Sequence, residues 1–224
     1  MRARFGRPEI SVYADLFAVP AATPGSALTI TWAGVSTLLI SDGTSAVLTD
    51  GFFTRPSLPR VGLGRISPSM PRIDGCLARL GVQRLDAVLP VHTHYDHALD
   101  SAVVAQRTGA ALAGGTSAAN IGRGQGLPES RIIIAGSKEP MRFGTFDISL
   151  IESHHCPPDR FPGTITAPLA PPVRTSAFRC GEAWSTLVHH LPTGKRLLIQ
   201  GSAGHVPGAL TGQRAGHMTG AALD

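Results

Sequence analysis

The sequence predicts an α/β sandwich. Two observations carry this prediction: hairpin-connected β-type runs early in the chain, and strand–helix units after them. Of the 224 residues, 42% are apolar and 16% are charged, a composition that supports a core and excludes general disorder. Only 5% are aromatic, so the core must consist mainly of Ala, Val, Leu and Ile. All-helical and all-β domains fit this order of elements less well.

The first half of the chain contains short strands and then a loop. We predict three hairpin-connected strands, at residues 27–32, 36–41 and 45–50, because glycine-bearing breaks separate them. Residues 51–72 are rich in Pro, Gly and Arg, which predicts a long loop. Apolar residues then recur at helical spacing from Ile73 to Leu80, and Gly81 is expected to end that helix.

The remaining elements alternate between strands and helices. Residues 85–91 are mostly apolar, which predicts a strand buried on both faces. We further predict helices at 98–108 and 116–122, strands at 110–113, 131–135 and 146–153, and a hairpin of 183–191 with 196–200. From Cys156 to Pro172 there are six prolines, which predicts a long loop that acts as a functional rim or lid.

Charge and cysteine content exclude several classes of protein. The net charge is +5, but the arginines are scattered, so a nucleic-acid partner is not favoured and a small-molecule substrate is expected. No apolar stretch is long enough to cross a membrane, and residues 1–26 lack a signal-peptide pattern, so we predict a cytoplasmic protein. Cys76, Cys156 and Cys180 have no CxxC spacing, which argues against disulfides and zinc fingers. The sequence does not indicate the oligomeric state.

The histidines indicate a metal site. Residues 92–97 read His-Thr-His-Tyr-Asp-His and follow the predicted buried strand directly. In an extended segment the side chains of His92 and His94 point to the same side, so both can reach one metal ion. Asp96 and His97 lie at the turn into the next helix, displaced enough to serve a second ion. Histidine and carboxylate ligands suit Zn²⁺, Mn²⁺ or Fe and indicate a hydrolytic site.

This motif resembles that of the metallo-β-lactamase fold superfamily. Residues 32–37 (WAGVST), followed by a strand and Thr49-Asp50, are similar to its broad branch of metal-dependent hydrolases, which includes lactonases and phospholipase-D-like enzymes. The resemblance implies a four-layer αββα sandwich with the metal site on loops at one edge of the sheets. It also implies that His92 and His94 bind the first metal with a later histidine, and that Asp96 and His97 supply half of a second site.

The third histidine is expected at the end of the strand 146–153, where His154 and His155 follow each other. The family pattern favours His155, and we choose it over His154. Cys156 could also bind a metal, but a lone Cys beside a loop is more often a packing residue. Asp50 resembles a family acidic residue that orients a histidine ligand, and a simple turn residue before Gly51 is an equal alternative.

The chain departs from the family pattern near its end. Where the family commonly supplies a bridging Asp, this chain has Ser202, a much poorer ligand because a hydroxyl is neutral. No later histidine has the right spacing for a second metal, and His217 comes too soon after Ser202. We therefore expect a fold that lacks its last strand–helix section: an N-terminal arm at 1–26, the domain at 27–212 and an irregular tail at 213–224.

The predicted function is hydrolysis of an ester, lactone or phosphodiester by a metal-bound hydroxide. Zn²⁺ is the expected ion, one firmly held and a second weaker, with Mn²⁺ or Fe as alternatives. Asp96 is the candidate catalytic residue, either orienting the nucleophile or protonating the leaving group. Arg160 and Arg174 could bind an anionic group of the substrate. The alternative is a catalytically impaired or truncated member that acts as a metal-binding or interaction module.

Overall fold

The computed structural model describes residues 23–204. Most of the expected N-terminal arm and the whole tail 213–224, which contains His217, lie outside the described residues. The described part consists of ten strands in two sheets and five α-helices.

The first sheet has six strands in chain order. They are β1 (Thr29–Trp32), β2 (Leu38–Ser41), β3 (Ala46–Thr49), β4 (Ala87–Leu89), β5 (Ala111–Gly114) and β6 (Ile132–Ile134). The first three pair antiparallel, which confirms the predicted hairpins, and β3 to β6 pair parallel. Parallel strands need crossover connections, and helices supply most of them.

The second sheet has four antiparallel strands, in the order β10-β9-β8-β7. They are β7 (Pro140–Phe143), β8 (Phe146–Ser153), β9 (Ala183–His190) and β10 (Arg196–Ile199). The sequence did not predict β7. It is an edge strand that begins with Pro140 and leaves most of its side chains accessible, so it lacks the apolar run that identifies a buried strand.

The helices are α1 (Leu58–Leu63), α2 (Met70–Arg79), α3 (Tyr95–Ala98), α4 (Ser101–Thr108) and α5 (Thr116–Gly124). The prediction of an uninterrupted loop over 51–72 was wrong, because α1 lies within it. This helix starts with a proline in its first turn and buries no residue, so it has no apolar periodicity to reveal it. The predicted helix 98–108 corresponds to α4, which begins three residues later, at Ser101, and the short helix α3 precedes it. Gly109 ends α4 with a φ of 74°.

Two cores show the layering. Alternate residues of the first sheet, such as Leu48 and Val88, pack under α2, α4 and α5, while Val47 and Leu89 face the second sheet. Phe146 and Ile148 of β8 contribute the other half of the inter-sheet core. Residues 23–204 therefore form helices on one sheet, which packs on the other, and this is the predicted α/β sandwich.

The strand ends define where the candidate site lies. Asp50 follows β3, His92 follows β4 and His155 follows β8. These three strands bring residues far apart in the sequence to one edge of the two packed sheets. No helix within residues 23–204 combines the length and apolarity needed to cross a membrane.

Candidate metal centre

His92 and His94 occupy the segment that leaves β4. Both are buried, with 1% and 8% of their surface exposed. Thr93 fixes the segment between them: its backbone N–H donates to the carbonyl of Cys180 at 2.8 Å, and its hydroxyl donates to the carbonyl of Arg179 at 2.6 Å. The side chain of Thr93 thus points toward Arg179 and Cys180, and the imidazoles of His92 and His94 both point to the opposite side, as the sequence predicts.

His155 completes a cluster of three histidines. Its ring centre lies 4.6 Å from that of His92 and 4.9 Å from that of His94, and one ligand atom of each lies within 4.8 Å of the others. The Nδ1 atom of His155 lies 2.6 Å from the carbonyl oxygen of Cys156, which fixes its hydrogen there and leaves Nε2 free to bind a metal. His154 is exposed and belongs to no such group in residues 23–204.

The donor chemistry of the cluster fits a metal ion. His92 Nε2 lies 2.9 Å from His94 Nδ1, close to the separation of about 3.3 Å expected for two nitrogens on one tetrahedral Zn²⁺. Burial and the neighbouring histidines hold the pKa values of His92 and His94 below the usual range. Both rings are therefore neutral at pH 7, the form that binds metals.

His97 is paired with Asp50 rather than with the three-histidine cluster. Its Nδ1 lies 2.8 Å from Asp50 Oδ2, and Oδ1 of the same carboxylate accepts the N–H of Val91 at 2.9 Å. Burial opposes a charge on His97, but the Asp50 carboxylate outweighs it and raises the pKa of His97. Asp50 is fully buried and in contact with a histidine, which is the geometry that the first of the two roles considered for it requires.

Asp96 and Ser202 line the same cavity as the three histidines. The side chain of Asp96 is 44% exposed, and its Oδ2 lies 4.0 Å from His97 Nε2. Asp96 and His97 do not join a group of three metal-ligating side chains among residues 23–204. Position 202 carries only a hydroxyl, so this wall of the cavity lacks the carboxylate that a second cation would need.

The cavity beside the cluster has a volume of about 550 Å³. Val61 and Gly62 of α1 form one wall, and Arg160 and Phe161 of the proline-rich loop form another. Arg174 does not line it. Sequence reasoning identified the loop as a rim but missed Val61 and Gly62, because α1 has no recognisable pattern.

Sequence reasoning also missed Asp159. Its Oδ1 lies 3.1 Å from His94 Nε2, and Asp159, His94 and Cys180 form a second group whose ligand atoms lie within 4.8 Å of one another. The proline-rich loop carries this residue, but nothing in the sequence indicated which of its side chains turns toward the histidines. Cys156 is exposed and belongs to neither group.

Comparison with known proteins supports a fold assignment. No protein-family model matches the chain. The structure of Igni18, a metallo hydrolase from Ignicoccus hospitalis, aligns with a TM-score of 0.52 and 17% identity over 81% of this chain and 63% of that one. The chain has the metallo-β-lactamase fold. A metallo-β-lactamase from Cronobacter sakazakii aligns over 86% of this chain and 62% of its own, with a TM-score of 0.49 and 16% identity.

One curated protein is similar in sequence to this metallo-β-lactamase-fold chain. It is a metal-dependent hydrolase from Myxococcus xanthus, 26% identical over 137 residues, which are 61% of this chain. The match covers 42% of that protein, so the alignment spans about two fifths of the relative's length.

Proposed function

We propose that the protein is a metal-dependent hydrolase whose first metal, Zn²⁺, is bound by His92, His94 and His155. The observation that carries the proposal is the convergence of these three imidazoles, from two strand ends, on the wall of an open cavity. Three protein ligands leave a fourth position for water or substrate, which is the pattern of catalytic rather than structural zinc. The metal-dependent hydrolase from Myxococcus xanthus supports the same class of reaction.

The ion would lower the pKa of a water molecule toward about 7 and polarise the bond to be broken. Asp96 is the candidate proton carrier. Its carboxylate is accessible from the cavity, so it can accept a proton from the attacking water and pass it to the leaving group. His97 is held by Asp50 and turns Nε2 toward Asp96, where the two could bind a second and weaker cation.

The proposed substrates are esters, lactones or phosphodiesters of small molecules. Phe161, Pro158 and Val61 give the cavity apolar walls, and Arg160 is its cationic side chain. A guanidinium at the rim can bind a carboxylate or phosphate of the substrate through two parallel hydrogen bonds. We therefore expect Arg160→Ala to raise KM for anionic substrates more than it lowers kcat.

We also propose a cytoplasmic location. The three cysteines are free thiols, Cys180 in the interior and Cys156 at the surface. Free thiols are stable in a reducing compartment.

The test combines metal analysis with a matched pair of variants. The wild-type chain, purified without chelators and then incubated with Zn²⁺, should hold at least one ion per chain and hydrolyse a generic ester, lactone or phosphodiester. His155→Ala should lose the ion and the activity. His154→Ala is the control, because the side chain of His154 is exposed. This variant should keep both the zinc ion and the activity.

The outcomes separate the candidate functions. A wild-type chain that binds no Zn²⁺, Mn²⁺ or Fe would overturn the proposal. A chain that binds zinc tightly but hydrolyses none of the substrate classes would favour a metal-binding module, the alternative supported by the missing carboxylate at Ser202. Activity that survives in both His155→Ala and His94→Ala would belong to a contaminating enzyme.

A further inference from the structure

The two ring nitrogens of His94 face different partners. Nδ1 faces the histidine cluster, 2.9 Å from His92 Nε2, while Nε2 points away from it, 3.1 Å from Asp159 Oδ1. His94 is 8% exposed, so water cannot readily replace Asp159 as the partner of Nε2. Nε2 has no aligned hydrogen bond in residues 23–204, and the Asp159 carboxylate is the anion it faces.

Asp159 itself is held in place from two sides. Its Oδ1 accepts the backbone N–H of Phe161 at 3.1 Å, which ties it to its own loop. The Cys180 thiol lies beside it, and burial, with the Asp159 charge adding to it, raises the pKa of Cys180 to about 12. The thiol therefore keeps its proton at pH 7 and can donate it to the carboxylate.

Cys180 also connects the loop to the histidine motif. Its N–H donates to the carbonyl of Phe161 at 2.8 Å, and its own carbonyl accepts the N–H of Thr93, also at 2.8 Å. Thr93 lies between His92 and His94 in the sequence. The position of Asp159 relative to His94 is thus fixed by a short chain of backbone hydrogen bonds and not by side-chain flexibility.

A carboxylate in this position would act on the metal through the histidine. Metal-binding histidines commonly donate their second N–H to a carboxylate, which fixes the tautomer and ring orientation and makes the ligand nitrogen more basic. With the proton held at Nε2 by Asp159, the lone pair of His94 is at Nδ1, on the side of His92. Asp159 does not line the cavity, whereas its neighbours Pro158 and Arg160 do, so it stands behind the ring.

We propose that Asp159 is a positioning residue for His94, through which the proline-rich loop sets the metal affinity of the site. The inference rests on the proposed function, since it requires that the three histidines bind a metal. It assigns a role to a loop residue that the sequence motif does not contain. It also predicts that Asp159 contributes to metal affinity without being a metal ligand.

The experiment measures zinc affinity of the full chain by competition with a chromophoric chelator. Asp159→Ala should bind Zn²⁺ about ten- to a hundred-fold more weakly than wild type. Asp159→Asn, which keeps an acceptor but loses the charge, should fall between the two. Asp74→Asn is the matched control, because Asp74 is an exposed carboxylate in a surface ion pair with Arg107. It should leave the zinc affinity unchanged.

Two further measurements separate positioning from other roles. The thermal midpoint of the metal-free Asp159→Asn chain should stay within a few degrees of wild type, because an effect on folding alone would lower it. The visible spectrum of the cobalt-saturated chain should keep its shape, because Co²⁺ absorption depends on the number and kind of its ligands. A changed spectrum would make Asp159 a direct ligand and overturn the positioning role.

The failures are distinguishable. If wild type binds no metal, the proposed function itself fails. If wild type binds zinc and Asp159→Ala binds it equally well, the proposed function stands and the inference about Asp159 is wrong.

Discussion

The Nδ1 atom of His97 lies 2.8 Å from the Oδ2 atom of Asp50, and both side chains are buried. Asp50 directly follows β3, and His97 lies in α3, which comes after the neighbouring strand β4. The second carboxylate oxygen accepts the N–H of Val91, the residue directly before His92. One aspartate therefore fixes both the start of the histidine motif and its last histidine. Asp50, at the end of β3, therefore holds both ends of the segment that follows β4.

Asp50→Asn should destabilise the protein. An amide has one acceptor oxygen, so either Val91 or His97 loses its partner in a buried place, which costs about 1–3 kcal/mol. We expect a reduced free energy of unfolding in urea. Zinc binding by His92, His94 and His155 should weaken less than it would on loss of one of these ligands. Asp74→Asn serves as the control, since its exposed ion pair contributes little. Equal stability of the Asp50 variant and wild type would contradict the prediction.

Much of the site could be predicted from the sequence because its residues are local. His92, His94, Asp96 and His97 fall in one six-residue segment after a continuous apolar strand, so period-two alternation already places the first two imidazoles together. The end of a second strand indicated His154 or His155, and the resemblance to the family selected His155. Strand ends, which apolar runs mark clearly, are enough to locate both segments.

The residues that were missed depend on tertiary packing. Val61 reaches the cavity from α1, a helix without a buried residue, and Asp159 reaches His94 across 65 positions of sequence. No local pattern encodes such contacts, since the backbone bonds between the segments at Phe161, Cys180 and Thr93 decide them. Edge strand β7 was missed for a related reason. It is defined by its pairing with β8, and it has no apolar run of its own.

Ser202→Asp should raise the metal content. Ser202 lines the cavity with His97 and Asp96, and a carboxylate there would add the negative charge and the ligand that the second cation lacks. Titration with Zn²⁺ should show a second equivalent bound by Ser202→Asp at concentrations where wild type binds one. Ser202→Asn, similar in shape but neutral, should behave as wild type. A stoichiometry of one in both variants would show that residue 202 does not limit the second site.

The interactions of Asp42 should make the folded protein less stable in acid. Its carboxylate accepts the N–H groups of Thr44 and Ser45, the hydroxyl of Thr145 at 2.6 Å and a contact from His190 Nε2 at 3.1 Å, so it connects the two sheets. Burial alone would raise the pKa of Asp42, but these donors outweigh it and hold that pKa well below its ordinary value.

A folded-state pKa below the unfolded value means that the stabilisation is complete above about pH 5, where the unfolded carboxyl is almost fully ionised. It is lost progressively as the pH falls further. Asp42→Asn should therefore be less stable than wild type at pH 7, and the difference should shrink in urea unfolding at pH 3. A difference that stays constant between the two pH values would exclude Asp42 as its source.

Gly181→Ala should disturb the anchor of the histidine motif. Gly181 has a φ of 63°, and a Cβ there would lie 2.6 Å from Ser117 Cβ and 2.6 Å from Thr93 Oγ1. The substitution thus adds a steric clash to the backbone strain of about 1 kcal/mol or more that any L-residue meets in this region. Because Thr93 holds the segment between His92 and His94, we expect both a lower free energy of unfolding and weaker zinc binding.

Gly194→Ala provides the matched control for that prediction. Gly194 has a similar φ of 67°, but a Cβ there would meet nothing within 4 Å. It should show the backbone cost alone, with zinc affinity unchanged, because its hairpin between β9 and β10 lies outside the metal cavity. The difference between the two variants isolates the contact with Thr93. If Gly181→Ala loses no more stability and zinc affinity than Gly194→Ala, Thr93 does not transmit the strain to the histidines.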